Sequence, residues 1–303
     1  MRHPILTTLA ALLLALGLSG AANAGPFDDA LASYNRGDHA TAFRLWRPLA
    51  DQGDARAQSN LGFMYANGQG VPQNNAEAVK WYRLAADQGY ANAQYSLGVM
   101  YDIGQGVTQN HAEAVKWYRL AADQGHANAQ SNLGFMYANG QGVPQNNAEA
   151  VKWYRLAADQ GYARAQYSLG VMYANGQGVT QNHAEAVKWF RLAADQGYAR
   201  AQSNLGFMYS TGQGVPQNKA EAVKWYRLAA DQGYTIAQYN LGAMYDNGSG
   251  VPQDHVQAHK WFNLAGAGGN EGGRKNRDIV AKKMTPAQIA EAQRLAHEWK
   301  PKQ

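Results

Sequence analysis

The sequence predicts an all-α solenoid of stacked helix–turn–helix repeats, and three observations carry that expectation. Leu-Gly pairs begin at 61, 97, 133, 169, 205 and 241, and tryptophans stand at 81, 117, 153, 189, 225 and 261, so both series step by 36 residues. A fixed period of roughly 20–50 residues marks a stacked array. Within each period the apolar residues recur at helical spacing, and Gly and Pro fall between the periodic segments. Cysteine is absent from all 303 residues, so disulfides cannot contribute and neighbouring units must stabilise one another by packing.

The first 24 residues stand apart from this pattern. Met1-Arg2-His3 is a positive start, Ile5 to Leu18 an apolar run, and Ala22-Asn23-Ala24 an A-x-A cleavage site. These are the three parts of a secretory signal peptide cut after Ala24. The apolar run is shorter than the ~20 residues a spanning helix needs. A periplasmic or secreted protein is therefore expected, with no membrane span. Residues 25–53 read as an N-terminal capping half-repeat, in which Trp46 falls near the repeat's tryptophan position.

Six units then occupy 54–269, beginning at Asp54, Tyr90, His126, Tyr162, Tyr198 and Tyr234. In the first unit Ala57, Leu61 and Tyr65 form one helical stripe. Gly62 lies beside it, and a mid-helix glycine costs ~1 kcal/mol against alanine, so close approach of a partner helix is expected there. The loop Asn67 to Gln73 carries two glycines and Pro72. Asn74 and Glu77 then read as an N-cap and its capping-box partner, repeated as Asn110/Glu113, Asn146/Glu149, Asn182/Glu185, Asn218/Glu221 and Asp254/Gln257. Ala78, Trp81 and Ala85 form the inner face of the second helix, and Gly89 ends it. Residues 270–303 read as basic capping helices: Gly266 to Gly273 is expected to loosen the array, and Thr285 and Pro286 open a final helix with Ile289, Ala292, Ala296 and Trp299 on one stripe.

The pattern A-x-A-Q-x-x-L-G-x-x-Y-x-x-G-x-G-V, then A-x-x-W-x-x-x-A-A-x-x-G, resembles the Sel-one-like repeat, a relative of the tetratricopeptide repeat. In this chain it runs from Ala55 through Val71, then Ala78, Trp81, Ala85, Ala86 and Gly89, and the resemblance covers 54–269. Members of that family often carry an acidic residue where Asn74 stands, and here only Asp254 does. The resemblance implies a right-handed α/α superhelix used as an interaction scaffold, often in bacterial envelopes, with the first helix of each repeat lining the concave side.

The units also alternate. Units one, three and five carry Ser59, Ser131 and Ser203 with Phe63, Phe135 and Phe207, whereas units two, four and six carry Tyr95, Tyr167 and Tyr239. The true period is thus 72 residues. At about 100° per residue, Arg56, Ser59 and Phe63 fall opposite the Ala57/Leu61/Tyr65 stripe. The candidate binding face comprises Arg56, Phe63, Tyr95, Phe135, Arg164, Tyr167, Arg200, Phe207 and Tyr239, because aromatics and arginine are enriched in binding hot spots. The same rings could instead pack against the next repeat's first helix, and the sequence leaves both arrangements open.

The formal net charge is +5, yet residues 25–270 hold 18 basic and 18 acidic side chains. Such a balance lacks the basic face that nucleic-acid binding needs. Arg36-Gly37-Asp38 matches an integrin-binding tripeptide and also suits a tight turn. His255 and His259 stand at a spacing that can hold a metal, but they read as surface histidines without a third ligand. No nucleophile–base motif appears, so no catalytic residue, metal or cofactor is assigned. The function expected is that of an envelope adaptor binding a protein or peptide segment. The alternatives are cell-wall glycan binding and, from another class, a hydrolase with an unrecognised site.

Overall fold

The computed structural model of the protein describes residues 25–302. The expected leader, 1–24, lies outside the described residues. Those residues form sixteen α-helices and no strand, and no helix among them is long and apolar enough to cross a membrane. The described residues fall into two compact units, divided between Ala85 and Ala86.

The first unit contains α1 (Pro26–Asn35), α2 (His39–Asp51), α3 (Ala55–Asn67) and most of α4 (Asn75–Asp87). Trp46 is fully buried there, 5.9 Å from the Phe27 ring and 5.7 Å from that of Tyr34. Arg36-Gly37-Asp38 is the turn between α1 and α2. Gly37 takes φ +83°, and Asp38 caps α2 by accepting the Thr41 N–H at 3.1 Å, which lowers its carboxyl pKa.

The second unit continues as five helix pairs: α5 (Ala91–Ile103) with α6 (His111–Asp123), α7 (Ala127–Asn139) with α8 (Asn147–Asp159), α9 (Ala163–Asn175) with α10 (His183–Asp195), α11 (Ala199–Thr211) with α12 (Lys219–Asp231), and α13 (Thr235–Asn247) with α14 (His255–Ala267). A final pair, α15 (Glu271–Ala281) and α16 (Pro286–His297), closes it. From α5 to α15 each helix packs on its neighbours in sequence, and α16 lies on α14, the arrangement of an all-α repeat solenoid.

Local chemistry sets each element. The Asn110, Asn146, Asn182 and Asn218 side chains accept the N–H three residues on, at 3.0–3.1 Å. The reciprocal arm of the expected capping box is not made. The backbone N–H of Asn110 is already bonded to the Tyr101 carbonyl at 2.9 Å, closing the inter-helix loop. The glutamates turn instead to Lys116, Lys152, Lys188 and Lys224 one turn on. In the loop, Gly142 has φ +70°, and a Cβ there would lie 2.3 Å from the His111 carbonyl oxygen of the preceding repeat, so only glycine fits.

The glycines inside the first helices have a packing reason, and it is an aromatic ring. A Cβ at Gly98 would fall 2.7 Å from the ring of Tyr118, and one at Gly170 would fall 2.7 Å from that of Phe190. These rings, with Phe262, are at most 1 % exposed.

Buried glutamines tie successive helices. Gln130 Nε2 donates to the Ala122 carbonyl at the end of α6 (3.1 Å), while its Oε1 accepts from Gln160 at the end of α8 (2.7 Å). The same pair of bonds recurs at Gln94, Gln166 and Gln202. Each adds a side-chain donor to a helix-terminal carbonyl that also accepts the N–H of the glycine three residues on, as Ala122 does from Gly125 at 2.9 Å. Gln130→Ala should cost about 1–3 kcal/mol, because it removes two hydrogen bonds that link successive helices and leaves the Ala122 carbonyl with the Gly125 N–H alone; urea unfolding with an unshifted midpoint would show that water replaces the amide.

The C-terminal glycine run does not loosen the array. A Cβ at Gly273 would sit 2.9 Å from the Ala265 Cβ and 2.9 Å from the Phe262 carbonyl oxygen, so the run lets α15 lie directly on α14. Thr285 and Gln288 make a full capping box on α16. The tail then turns back, and Lys302 bonds Asp231 twice, through its N–H to the carbonyl (2.8 Å) and through Nζ to the carboxylate (2.7 Å).

Two histidines couple this packing to pH. His126 Nδ1 accepts the Ala129 N–H at 3.2 Å, and burial holds its pKa below the ordinary histidine value. His259 is 3 % exposed, so it is no surface residue, and burial followed by nearby Arg277 lowers its pKa as well. Both resist protonation in the folded state, so the unfolded chain takes up protons first as pH falls. Stability is therefore fully present above the ordinary histidine range and declines below about pH 6.5. The neighbouring repeats carry Tyr162 and Val223 at these two positions. His126→Tyr with His259→Val should flatten the decline in melting temperature between about pH 7 and pH 5, and an unchanged slope would place its origin elsewhere.

Candidate functional site

The candidate face is built from the outward stripe of the first helices. The three tyrosines that alternate along it meet three different fates. Tyr95 is 7 % exposed, stacked on His126 at 4.7 Å and 6.0 Å from Tyr118, and burial pushes its phenol up to about 12. It is inter-repeat core. Tyr239 lies against Phe262 at 5.7 Å and is covered by α15, whose Asn276 amide donates to its hydroxyl at 3.3 Å. Tyr167 alone of the three lies on an open face, half-buried, with the Tyr198 ring at 5.3 Å and the Asn204 side chain beside it.

The phenylalanines and arginines separate in the same way. In the first unit Phe63 is half-buried, 6.3 Å from Tyr34. Arg56 pairs with Asp54 at 2.9 Å and lies over the Phe27 ring at 4.2 Å. In the second unit Phe135 is half-buried, whereas Phe207 is 47 % exposed. Arg164 is half-exposed and Arg200 exposed. Arg200, Asn204 and Phe207 stand at i, i+4 and i+7 on α11, hence on one stripe.

Two polar–aromatic clusters emerge, 72 residues apart. One groups Tyr95, His126, Asn132, Tyr162 and Arg164; the other groups Tyr167, Tyr198, Asn204, Arg200 and Tyr234. In the second, burial raises the Tyr167 and Tyr234 phenols while the Arg200 charge pulls both back. The residues missed in the sequence are Tyr162, Tyr198 and Tyr234, which stand at the N-cap position of α9, α11 and α13 without capping through their side chains. Their signal was the change of the unit's opening residue from Asp54 to tyrosine.

A second surface was also missed. Leu120, Leu156, Leu192 and Leu228 on the second helices are 42–48 % exposed, each three residues after the tryptophan. Beside Leu120, a shallow groove is lined by Ala112, Lys116, Arg119, Gly142 and Val143.

Two histidines instead meet acids. His111 Nδ1 lies 2.9 Å from Asp102, a carboxylate 2 % exposed that also accepts from the Tyr118 hydroxyl at 3.3 Å. His255 Nδ1 is 3.2 Å from Asp246, which Lys283 reaches at 2.9 Å. His259 is buried away from that pair, and among the described residues no group of three or more His, Cys, Asp or Glu is placed to hold a metal.

The Sel1 repeat family model matches residues 34–54, 55–90, 91–126, 127–162, 163–198, 199–234 and 235–270. Among solved structures, a Sel1 repeat protein from Oxalobacter formigenes is similar at 34 % identity with a TM-score of 0.74, over 80 % of this chain and 97 % of that one. A protective antigen of uropathogenic Escherichia coli, described as displaying an SLR fold, is 31 % identical over 90 % of this chain and 75 % of that one, with a TM-score of 0.40. No curated protein matches the sequence. The chain belongs to the Sel1 repeat family.

Proposed function

We propose that this chain is an exported adaptor that binds a protein or peptide segment on the outward face of its first helices. One observation carries the reading. On α11 the exposed Arg200 and Phe207 share a stripe beside the half-buried Tyr167 and Tyr198, which is the composition of a hot spot held on a rigid element. Sel1 repeats generally mediate contacts between proteins, which supports the same conclusion. Export is supported by the leader pattern of 1–24. It is tested by sequencing the N-terminus of protein recovered from the envelope fraction, which should begin at Gly25.

Binding is tested by in-cell crosslinking of the full chain against two surface variants. Arg200→Ala with Phe207→Ser should lose the crosslinked partner while its circular-dichroism melt is unchanged. Leu156→Ser with Leu192→Ser, on the second helices, should keep it. The reverse pattern would move the binding surface to the leucine row. Half-exposed tyrosines beside an asparagine amide also suit sugar rings, so the variants are sedimented with purified cell wall. Firm pelleting that the first variant abolishes, with no protein crosslink, would replace the adaptor by a glycan binder.

A further inference from the structure

We propose that Arg164 and Arg200, set among Tyr162, Tyr198 and Tyr234, bind an acidic segment of a partner protein that brings at least two Asp or Glu side chains. The proposal rests on the reading of the first-helix face as the binding surface, and it specifies the chemistry of what binds.

The first unit shows how the repeat answers its own arginine. Asp54 caps α3, accepting the N–H groups of Arg56 and Ala57 at 2.9 and 3.0 Å, and its other oxygen takes the Arg56 guanidinium at 2.9 Å. One carboxylate thus serves as helix cap and counter-charge. At the same position α9 and α11 open with Tyr162 and Tyr198, neither of which makes a side-chain cap. Arg164 and Arg200 therefore lose the carboxylate, and among the described residues no acid lies within ion-pair distance of either. Arg164 lies beside the phenols of Tyr95, Tyr154 and Tyr162, and Arg200 beside those of Tyr167 and Tyr234.

Other cations in the second unit are answered differently. Lys116, Lys152, Lys188 and Lys224 each pair with the glutamate three residues earlier, and Lys302 pairs with Asp231. Arg119, Arg155, Arg191 and Arg227 donate to the hydroxyls of Tyr137, Tyr173, Tyr209 and Tyr245 in the next repeat. Arg164 and Arg200 thus stand without an acid on two successive first helices, beside half-buried rings. A guanidinium presents a fork that fits a carboxylate with two parallel bonds. The tyrosines add flat apolar area at low entropic cost. Because the two arginines sit one repeat apart, the segment must run across α9 and α11, which requires two acids.

The test pans a random peptide display library, built with amidated C-termini, against the full chain. Peptides rich in Asp and Glu should be enriched, and their binding should weaken in high salt. Arg164→Gln and Arg200→Gln should each weaken a selected acidic peptide about tenfold. Tyr162→Asp with Tyr198→Asp should abolish capture without touching either arginine, since each new carboxylate would pair with its neighbour as Asp54 does. Melting curves matched to the parent would show that the variants fold. Acidic peptides that bind the double arginine variant as well as the parent would overturn the proposal. So would selected peptides of apolar sequence, lost on Phe207→Ser and indifferent to the arginines, although the face would then stand. Recovery of no peptide, or of peptides indifferent to every change on the face, would overturn the binding surface itself.

Discussion

Phe190→Ala is expected to destabilise the second unit by about 3–5 kcal/mol. The ring is 1 % exposed and seated on Gly170, where no side chain of the first helix can fill the space it leaves. The reciprocal change should also destabilise. Gly170→Ala gains ~1 kcal/mol of helix propensity but places a methyl 2.7 Å from the ring carbons, so overpacking wins and the net cost is about 1–3 kcal/mol. Combining Gly170→Ala with Phe190→Leu should cost less than the two single changes together, because the smaller side chain leaves room for the methyl. Urea unfolding of the four proteins measures this coupling. Strict additivity would mean that ring and glycine do not share one space.

His111→Ala should cost about 3 kcal/mol, whereas Asp102→Ala should cost less than about 1 kcal/mol. The asymmetry follows from which partner is left behind. Asp102 is 2 % exposed, and without His111 its charge keeps only the 3.3 Å bond from Tyr118. Removing the acid instead recreates what the next two repeats already contain, since Ala138 and Ala174 occupy the same position. The Tyr118 hydroxyl keeps a neighbour in the Asn132 side chain. The double variant should recover most of the loss caused by His111→Ala. If Asp102→Ala proves as costly as His111→Ala, the carboxylate is itself a structural keystone.

Most of the fold was legible because the devices that set it are local. Asn110 can be recognised as a cap from its own neighbours, and a glycine in mid-helix announces that something comes close. The capping box failed at its second arm because the competing partner, the Tyr101 carbonyl, arrives from the far side of a loop. The glycine run from Gly266 was misread for a similar reason. Composition suggested slack, while the contact that needs it, α15 on α14, is tertiary.

The site was less legible. Tyr95, Tyr167 and Tyr239 are the same letter at the same repeat position, and nothing within one unit separates them. His126 covers the first and α15 the third, whereas Tyr198 leaves the second partly open. The arginines were visible, but their significance lay in the residue two places earlier, where Asp54 gives way to tyrosine.

The 72-residue alternation also decides how such a chain can lengthen. The aromatic clusters reach across three consecutive first helices, so a single extra repeat would bring two like units together and present a junction found nowhere in the protein. A duplicated pair has no such conflict. Copying residues 127–198 in place would create only joins of the kind already present between α6 and α7 and between α10 and α11. A pair added after α14 would have to displace α15, α16 and the contact of Lys302 with Asp231, whereas one inserted in the interior disturbs none of these. The protein is thus a ruler marked in double units, and each inserted pair would add one more aromatic cluster of the same kind.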